Sequence, residues 1–302
     1  MGLGCWQFGG SFGFWENQDR SDSIKVLHYA LKTGIRHFDT AQGYGNGESE
    51  QFTGQQLKRF SKSIPRSELT IATKIMAKGP LQVRKDVETS LRRLCTDYID
   101  ILYLHWPSST VPLAPIMDAL AEITETDMVM TIGLSNFPLP LLQSFRTYPI
   151  GYYQMPCNLL WTRGLEQTLL YCKENKIKTV GYSPLGLGLL NGNHEASPLD
   201  GRKDFYCYAP ESYPLYKALY GKLWDLSCKK RCSIAQIALV WALGQGFDSV
   251  LLGARNKTQL QQNLASRDLR LSGVEMHELS VLAGKLASSA PISQDNIFNH
   301  RW

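Results

Sequence analysis

A single (β/α)8 TIM barrel spanning residues 1–302 is the fold class the sequence predicts, and three observations predict it. Short β-branched or apolar runs alternate with longer stretches of helical spacing along the whole chain, the signature of βα units around a parallel sheet. The 302 residues, 43% of them hydrophobic, suffice to bury one large core. An open doubly wound sheet also alternates strand and helix, but it usually carries GxGxxG after its first strand; here Trp6-Gln7-Phe8-Gly9-Gly10 stands in that place.

The predicted strands are Gly2–Cys5, Arg36–Asp39, Leu69–Lys74, Ile99–His105, Val129–Ser135, Ile150–Met155, Thr179–Ser183 and Ser249–Gly253. Helical spacing over Asp22–Lys32, Glu48–Phe60, Leu81–Leu94, Pro138–Phe145, Leu165–Glu174, Ser233–Leu243 and Lys257–Ser266 places helices between them. Two segments break the rhythm. Residues 185–214 are rich in Gly, Asn, Asp, Tyr and Pro and read as a long loop after the seventh strand. Residues 288–302 read as a tail. Aromatic residues in both (Phe205, Tyr206, Tyr208 and Tyr213 in the loop; Phe298, His300 and Trp302 in the tail) predict movable walls of a substrate pocket on the barrel's C-terminal face.

Net charge is a modest +5, and the basic residues are scattered, which argues against nucleic-acid or membrane-surface partners. No window approaches about 18 consecutive apolar residues, and Met1–Phe14 lacks the basic-then-apolar order of a signal peptide, so the expected location is cytoplasmic. Seven cysteines run from Cys5 to Cys232 with no CxxC pair, which predicts reduced thiols. Cys228 and Cys232 share a helix face but lack two further ligands for zinc, and no metal is expected.

Polar residues that an apolar barrel strand would not choose recur at three strand ends. Asp39, Lys74 and His105 lie about one βα unit apart, and Tyr44 follows Asp39 in the same loop. A barrel gathers all four on one rim. A tyrosine, with its ordinary pKa of about 10, is a poor acid at neutral pH unless its phenolate is stabilised, and Lys74 offers that charge. A buried ammonium needs a counter-ion, which Asp39 supplies, and His105 can present a ring N–H to a substrate oxygen. An acid and an oxyanion site without a covalent nucleophile suit hydride addition to a carbonyl. Taken singly, each residue also has a plain structural reading: a helix cap for Asp39, a snorkelling surface lysine, a core histidine, a turn aromatic.

Phe38-Asp39-Thr40-Ala41-Gln42-Gly43-Tyr44-Gly45, Gly47-Glu48-Ser49-Glu50, Ala72-Thr73-Lys74 and Asp97-Tyr98-Ile99-Asp100-Ile101-Leu102-Tyr103-Leu104-His105-Trp106-Pro107 resemble the aldo-keto reductase superfamily. Ile132-Gly133-Leu134-Ser135-Asn136-Phe137, Gln154, Gly181-Tyr182-Ser183-Pro184-Leu185 and Leu252-Gly253-Ala254-Arg255-Asn256 match in order, so the resemblance covers nearly the whole chain. Within it, the chain resembles the bacterial general-stress and potassium-channel β-subunit-like branch. The resemblance implies NADPH/NADP as cofactor, a small-molecule carbonyl as substrate, and Asp39, Tyr44, Lys74 and His105 as the catalytic tetrad with Tyr44 the proton donor. It further implies that Ser135, Asn136 and Gln154 bind the nicotinamide carboxamide and that Tyr182 stacks beneath the ring, with Ser183, Pro184 and Leu185 alongside. Cys5 and Trp6 lie where the family's first strand nears the cofactor.

The Gly253–Asn263 segment enters the last predicted helix, whose unpaired N–H groups and dipole suit a phosphate, and Arg255 adds a planar cation. Together they point to the 2′-phosphate of NADP, with Gln259, Gln262 and Asn263 near adenine by family analogy. An NADP-binding regulatory subunit with little turnover is the competing expectation, and the complete tetrad favours catalysis over it. The chain departs from the family twice. It begins almost at the first strand, where relatives carry a β-hairpin, so the barrel's N-terminal end is expected either to be covered otherwise or to follow residues removed from a longer precursor. Thr126-Asp127-Met128-Val129-Met130 stands where a Gly-Lys turn is usual.

Overall fold

A computed structural model describes residues 1–9, 14–15, 17–192 and 201–291. Eight parallel strands close into a barrel in sequence order: β1 (Gly2–Gly4), β2 (His37–Asp39), β3 (Thr70–Ile75), β4 (Ile101–Leu104), β5 (Ile132–Ser135), β6 (Ile150–Pro156), β7 (Lys178–Tyr182) and β8 (Ser249–Leu252). Each matches a predicted strand. Closure is made by β8 against β1, with Gly2 opposite Leu251 and Leu3 opposite Leu252. By Cα proximity the residues form two compact units. One comprises Met1–Met155, Leu170–Val180 and Leu251–Leu260; the other comprises Pro156–Leu169, Gly181–Val250 and Gln261–Trp302.

In the first unit the helices are α1 (Arg20–Lys32), α2 (Glu48–Arg59), α3 (Pro80–Leu94), α4 (Ala114–Thr124) and α5 (Leu139–Ser144). Asp19 caps α1, its carboxylate accepting from Asp22 N at 2.8 Å, and a proline in the first turn of α3 supplies the preset φ that a helix start needs. The core stacks apolar strand residues in register: Ala72, Ile101 and Tyr103 are fully buried together. β4 and β5 are shorter than their periodicity predicts. Asp100 breaks β4, because its carboxylate accepts from Ile71 N (2.8 Å) and from Arg66 (2.6 Å). Upstream, only an isolated bridge joins Ile99 to Val129. The Thr126–Met130 departure also has a physical account: Thr126 Oγ1 donates to Ile123 O at the end of α4, and Met128 N donates back to Thr126 Oγ1, so a threonine makes the turn.

In the second unit lie α6 (Leu165–Glu174), which begins there and runs on into the first unit, then α7 (Tyr213–Lys230) and α8 (Ile234–Leu243). α9 (Lys257–Ala265) spans the unit boundary in sequence, and α10 (Gly273–Ser289) follows. Capping boxes, Ser233 with Gln236 and Ser272 with Glu275, start α8 and α10. Three helices lie outside those the periodicity names: α4, most of α7, and α10. Pro214, read as a turn former, sits in the first turn of α7, and Ser288 and Ser289, read as tail, belong to α10. The 185–214 segment carries short 3-10 turns at Gly186–Gly188, Gly201–Asp204 and Tyr206–Tyr208, and its residues 193–200 lie outside the described residues. Two of its aromatics are core, not wall. Phe205 and Tyr206 are buried, Tyr206 donating its hydroxyl to Leu160 O and Phe205 meeting Trp161 edge-on. The expected tail wall, including Phe298, His300 and Trp302, lies outside the described residues. No described helix is long and apolar enough to cross a membrane.

Candidate active site

Parallel strands bring their C-terminal ends to one rim, and the polar residues of the first unit gather there. Asp39 ends β2, opposite Gly4 of β1 and Ala72 of β3. Backbone pairing continues past the strand, with Thr40 N donating to Ala72 O and Gln42 N to Lys74 O. This brings Lys74, 1% exposed, against Asp39, 3% exposed. The ammonium donates to Asp39 Oδ1 at 2.5 Å and to Thr40 O at 2.7 Å, and Asp39 Oδ2 accepts from Gln154 Nε2 at 2.7 Å. Both carboxylate oxygens and two of the three ammonium protons therefore have partners, which makes a buried pair tolerable.

Tyr44 lies in the turn after β2, with the Lys74 ammonium 5.1 Å from its ring centre. The His105 ring meets it edge-on, centroids 5.8 Å apart, and the Trp6 ring stacks on it, also at 5.8 Å. Two glycines hold this turn in place. A Cβ at Gly9 would meet Tyr44 O at 2.5 Å, and one at Gly45, whose φ is +59°, would meet Gly9 O at 2.0 Å. The β1 and β2 loops thus touch backbone to backbone, which only glycine permits.

Charge states follow from burial. Burial above all, then the Asp39 carboxylate, raises the Tyr44 phenol well above its ordinary 10, so Tyr44 holds its proton. Burial first, and the Lys74 charge second, lower the His105 ring well below 6.5, leaving it neutral at pH 7. Burial also pushes the Cys5 thiol up to about 12, which excludes a reactive thiolate; Cys5 N instead donates to Asp39 O at 2.8 Å. The site is a neutral phenol and a neutral imidazole around one compensated ion pair.

Ser135 ends β5 and is fully buried, and Asn136 follows in a left-handed conformation (φ 66°) that asparagine tolerates. That turn lets Asn136 Nδ2 donate to Ser135 Oγ (2.9 Å) and His105 O (3.0 Å), while Asn136 N donates to Gln154 O (3.1 Å). A hydroxyl and two carboxamides thus stand together beside Asp39 and His105, a donor and acceptor set that fits an amide ligand such as nicotinamide. Gly253, Arg255 and Gln259 are exposed where β8 passes into α9. A Cβ at Gly253 would meet nothing within 4 Å among the described residues, and Gln259 Oε1 accepts from Arg255 N at 2.8 Å. An exposed guanidinium at a helix start suits a phosphate.

The remaining expected cofactor residues belong to the second unit. Tyr182 ends β7, its carbonyl accepting from Cys157 N; Ser183 (φ 49°) accepts from Asn158 Nδ2 through its own carbonyl, and Pro184 and Leu185 follow in the turn. Gln262 O accepts from Gln236 Nε2, and Asn263, 6% exposed, has its carbonyl bonded to Ser266.

Sequence reasoning passes over the residues that brace Asp39, Lys74 and Tyr44 in place. Thr40 Oγ1 donates to Ser49 Oγ, which donates to Cys5 O at 2.6 Å, tying β1, β2 and α2 together. Thr73 donates to the fully buried Glu50 at 2.6 Å, and Arg93 pairs with that carboxylate at 3.2 Å. Gln42 spans to Asp86 O and Ser90 of α3. Polar residues on one face of α2 are the only trace of this network in the sequence.

A model of the Aldo/keto reductase family matches residues 1–283. Aldo-keto reductase YhdN of Bacillus subtilis (strain 168) is 33% identical over 288 residues, covering 86% of this chain and 82% of its own length. The NADH-specific methylglyoxal reductase of Escherichia coli (strain K12) is 30% identical, covering 91% of both chains. Among solved structures, glycerol dehydrogenase AKR11B4 from Gluconobacter oxydans superposes with a TM-score of 0.83 at 27% identity, over 96% of this chain and 93% of that one. Family, relatives and barrel agree with an oxidoreductase that uses a nicotinamide cofactor on small-molecule carbonyls, and the chain belongs to the aldo/keto reductase family.

Proposed function

We propose that the chain reduces an aldehyde or ketone to an alcohol with NADPH, Tyr44 donating the proton. The observation that carries this reading is the buried Lys74–Asp39 pair set 5.1 Å from the Tyr44 ring, with a neutral His105 on its edge. A bound NADPH supplies the hydride that the carbonyl carbon takes. Tyr44 passes its phenolic proton to the carbonyl oxygen as negative charge grows there. The high pKa keeps that proton on Tyr44 at rest, and the nearby ammonium offsets the phenolate charge at the moment of transfer. Asp39 aims Lys74 through their ion pair at 2.5 Å. Neutral His105 orients the carbonyl oxygen through a ring N–H, a role an imidazolium would perturb by competing as an acid. Ser135, Asn136 and Gln154 would hold the carboxamide of the nicotinamide, and Arg255 with the start of α9 the 2′-phosphate.

The family alone does not decide between NADPH and NADH, since one relative is named for NADH specificity. Arg255 favours the phosphorylated form. The test is cofactor oxidation with 4-nitrobenzaldehyde, with the alcohol quantified. Wild type should form one alcohol per NADPH and prefer NADPH to NADH. Arg255→Ala should raise KM for NADPH at least about tenfold, the scale of a lost charge-assisted contact, and leave that for NADH within about twofold. Equal effects on both cofactors would place Arg255 elsewhere than at the 2′-phosphate.

A further inference from the structure

Arg255 is not held by its own helix alone. Gln18, 237 positions away in the loop between β1 and α1, grips it at two points: Gln18 Oε1 accepts from Arg255 Nε at 3.1 Å, and Gln18 Nε2 donates to Arg255 O at 2.8 Å. Asn17 O takes one terminal nitrogen of the guanidinium at 3.3 Å. We propose that Gln18 is a positioning residue that aims Arg255 and thereby sets the preference for a 2′-phosphorylated adenine nucleotide; this rests on the reading of Arg255 given above.

The clamp stands on a rigid base. Gln18 Nε2 also lies 3.2 Å from Ser23 Oγ, Ser23 Oγ donates to Asp19 O, and Asp19 caps α1. A second tie joins the same two elements, because the ammonium of Lys257, first residue of α9, sits 5.3 Å from the Tyr29 ring centre of α1. An exposed arginine otherwise samples many rotamers and must lose about 2 kcal/mol of side-chain entropy on capturing a ligand. Holding Nε and the backbone carbonyl removes much of that loss before binding, while phosphate recognition falls to the terminal nitrogens. A neutral amide suits this place. A carboxylate there would also hold the guanidinium, but it would repel the incoming phosphate.

Calorimetry on the purified chain, with adenosine 2′,5′-bisphosphate and 5′-AMP as probes, tests this without turnover. Gln18→Ala should lower the bisphosphate-to-AMP affinity ratio about three- to tenfold, the worth of one hydrogen bond, with 5′-AMP affinity unchanged. Gln18→Glu, which keeps size and an acceptor, should lower the ratio at least as far. Arg255→Ala should lower it about tenfold or more. If Arg255→Ala lowers the ratio while both Gln18 variants keep the wild-type value, Gln18 does not aim the guanidinium and the proposal is overturned, the reading of Arg255 surviving. An Arg255→Ala ratio equal to wild type overturns that reading instead, and the proposal with it. Equal losses of both probes in the Gln18 variants would make Gln18 a merely structural loop residue, which also overturns the proposal.

Discussion

Replacing Lys74 by methionine keeps the length of the side chain and removes its charge. Asp39 would then be a carboxylate 3% exposed with one neutral donor left, Gln154 Nε2, where it now has an ammonium at 2.5 Å as well. Removing one partner of a buried pair typically costs about 3–5 kcal/mol, because the other charge stays in a low dielectric. Asp39→Asn should cost a similar amount, leaving the ammonium with Thr40 O at 2.7 Å as its acceptor among the described residues. The double variant buries no charge at all, so it should be more stable than either single variant, with a coupling energy of about 2 kcal/mol or more. Urea unfolding followed by tryptophan fluorescence reads this directly. Turnover should separate from stability: Lys74→Met and the double variant should fall at least about a hundredfold, since neither retains a cation beside Tyr44, whereas Asp39→Asn keeps the cation and loses only the group that aims it. A double variant whose loss of stability equals the sum of the singles would refute electrostatic coupling. One that regains turnover together with stability would reduce the pair to a structural role.

Gly45→Ala should destabilise the chain by about 2 kcal/mol or more and lower kcat, since a Cβ there meets Gly9 O at 2.0 Å in a left-handed residue beside Tyr44; unchanged kcat and melting temperature would speak against the loop contact. Glu50→Ala strips the buried acceptor of Thr73 and the partner of Arg93, and should cost about 2–4 kcal/mol while leaving KM for substrate nearly unchanged. The pH profile of stability should show two half-buried histidines. Burial lowers His105 well below 6.5 and His37 to about 4, so below about 6.5 the unfolded chain binds protons that the folded chain refuses. Stability is then fully present above about 6.5 and falls with falling pH at up to about 1.4 kcal/mol per unit for each ring. His37→Gln should flatten that slope between pH 6.5 and 4, and an unaltered slope would contradict the assignment.

The barrel was legible because each parallel strand is a short apolar run bounded by turn formers, a pattern set by local sequence. All eight strands follow from it to within a few residues. What escaped depends on partners distant in sequence. Asp100 ends the regular part of β4 by bonding Ile71 N, and nothing near Asp100 announces that acceptor role. In α7 the buried positions Tyr216, Leu219, Tyr220 and Leu223 do keep helical spacing, yet tyrosines and a leading proline read as loop chemistry. That Asp39, Lys74 and His105 would gather on one rim was legible because a polar residue at the end of an apolar strand is conspicuous. Its braces, Ser49, Glu50 and Thr73, and the Gln18 clamp on Arg255, are ordinary polar residues whose meaning appears only when two elements meet.

The central claim is that Tyr44 is the acid. Its most direct test is turnover of 4-nitrobenzaldehyde with NADPH by Tyr44→Phe, alongside binding of adenosine 2′,5′-bisphosphate to the same protein. The ring keeps its contacts with Trp6 and His105, so the variant should fold and bind the nucleotide as wild type does. Its turnover should fall at least about a hundredfold, the usual scale for losing a general acid. Turnover above half the wild-type value, with binding intact, would mean that the proton comes from another group.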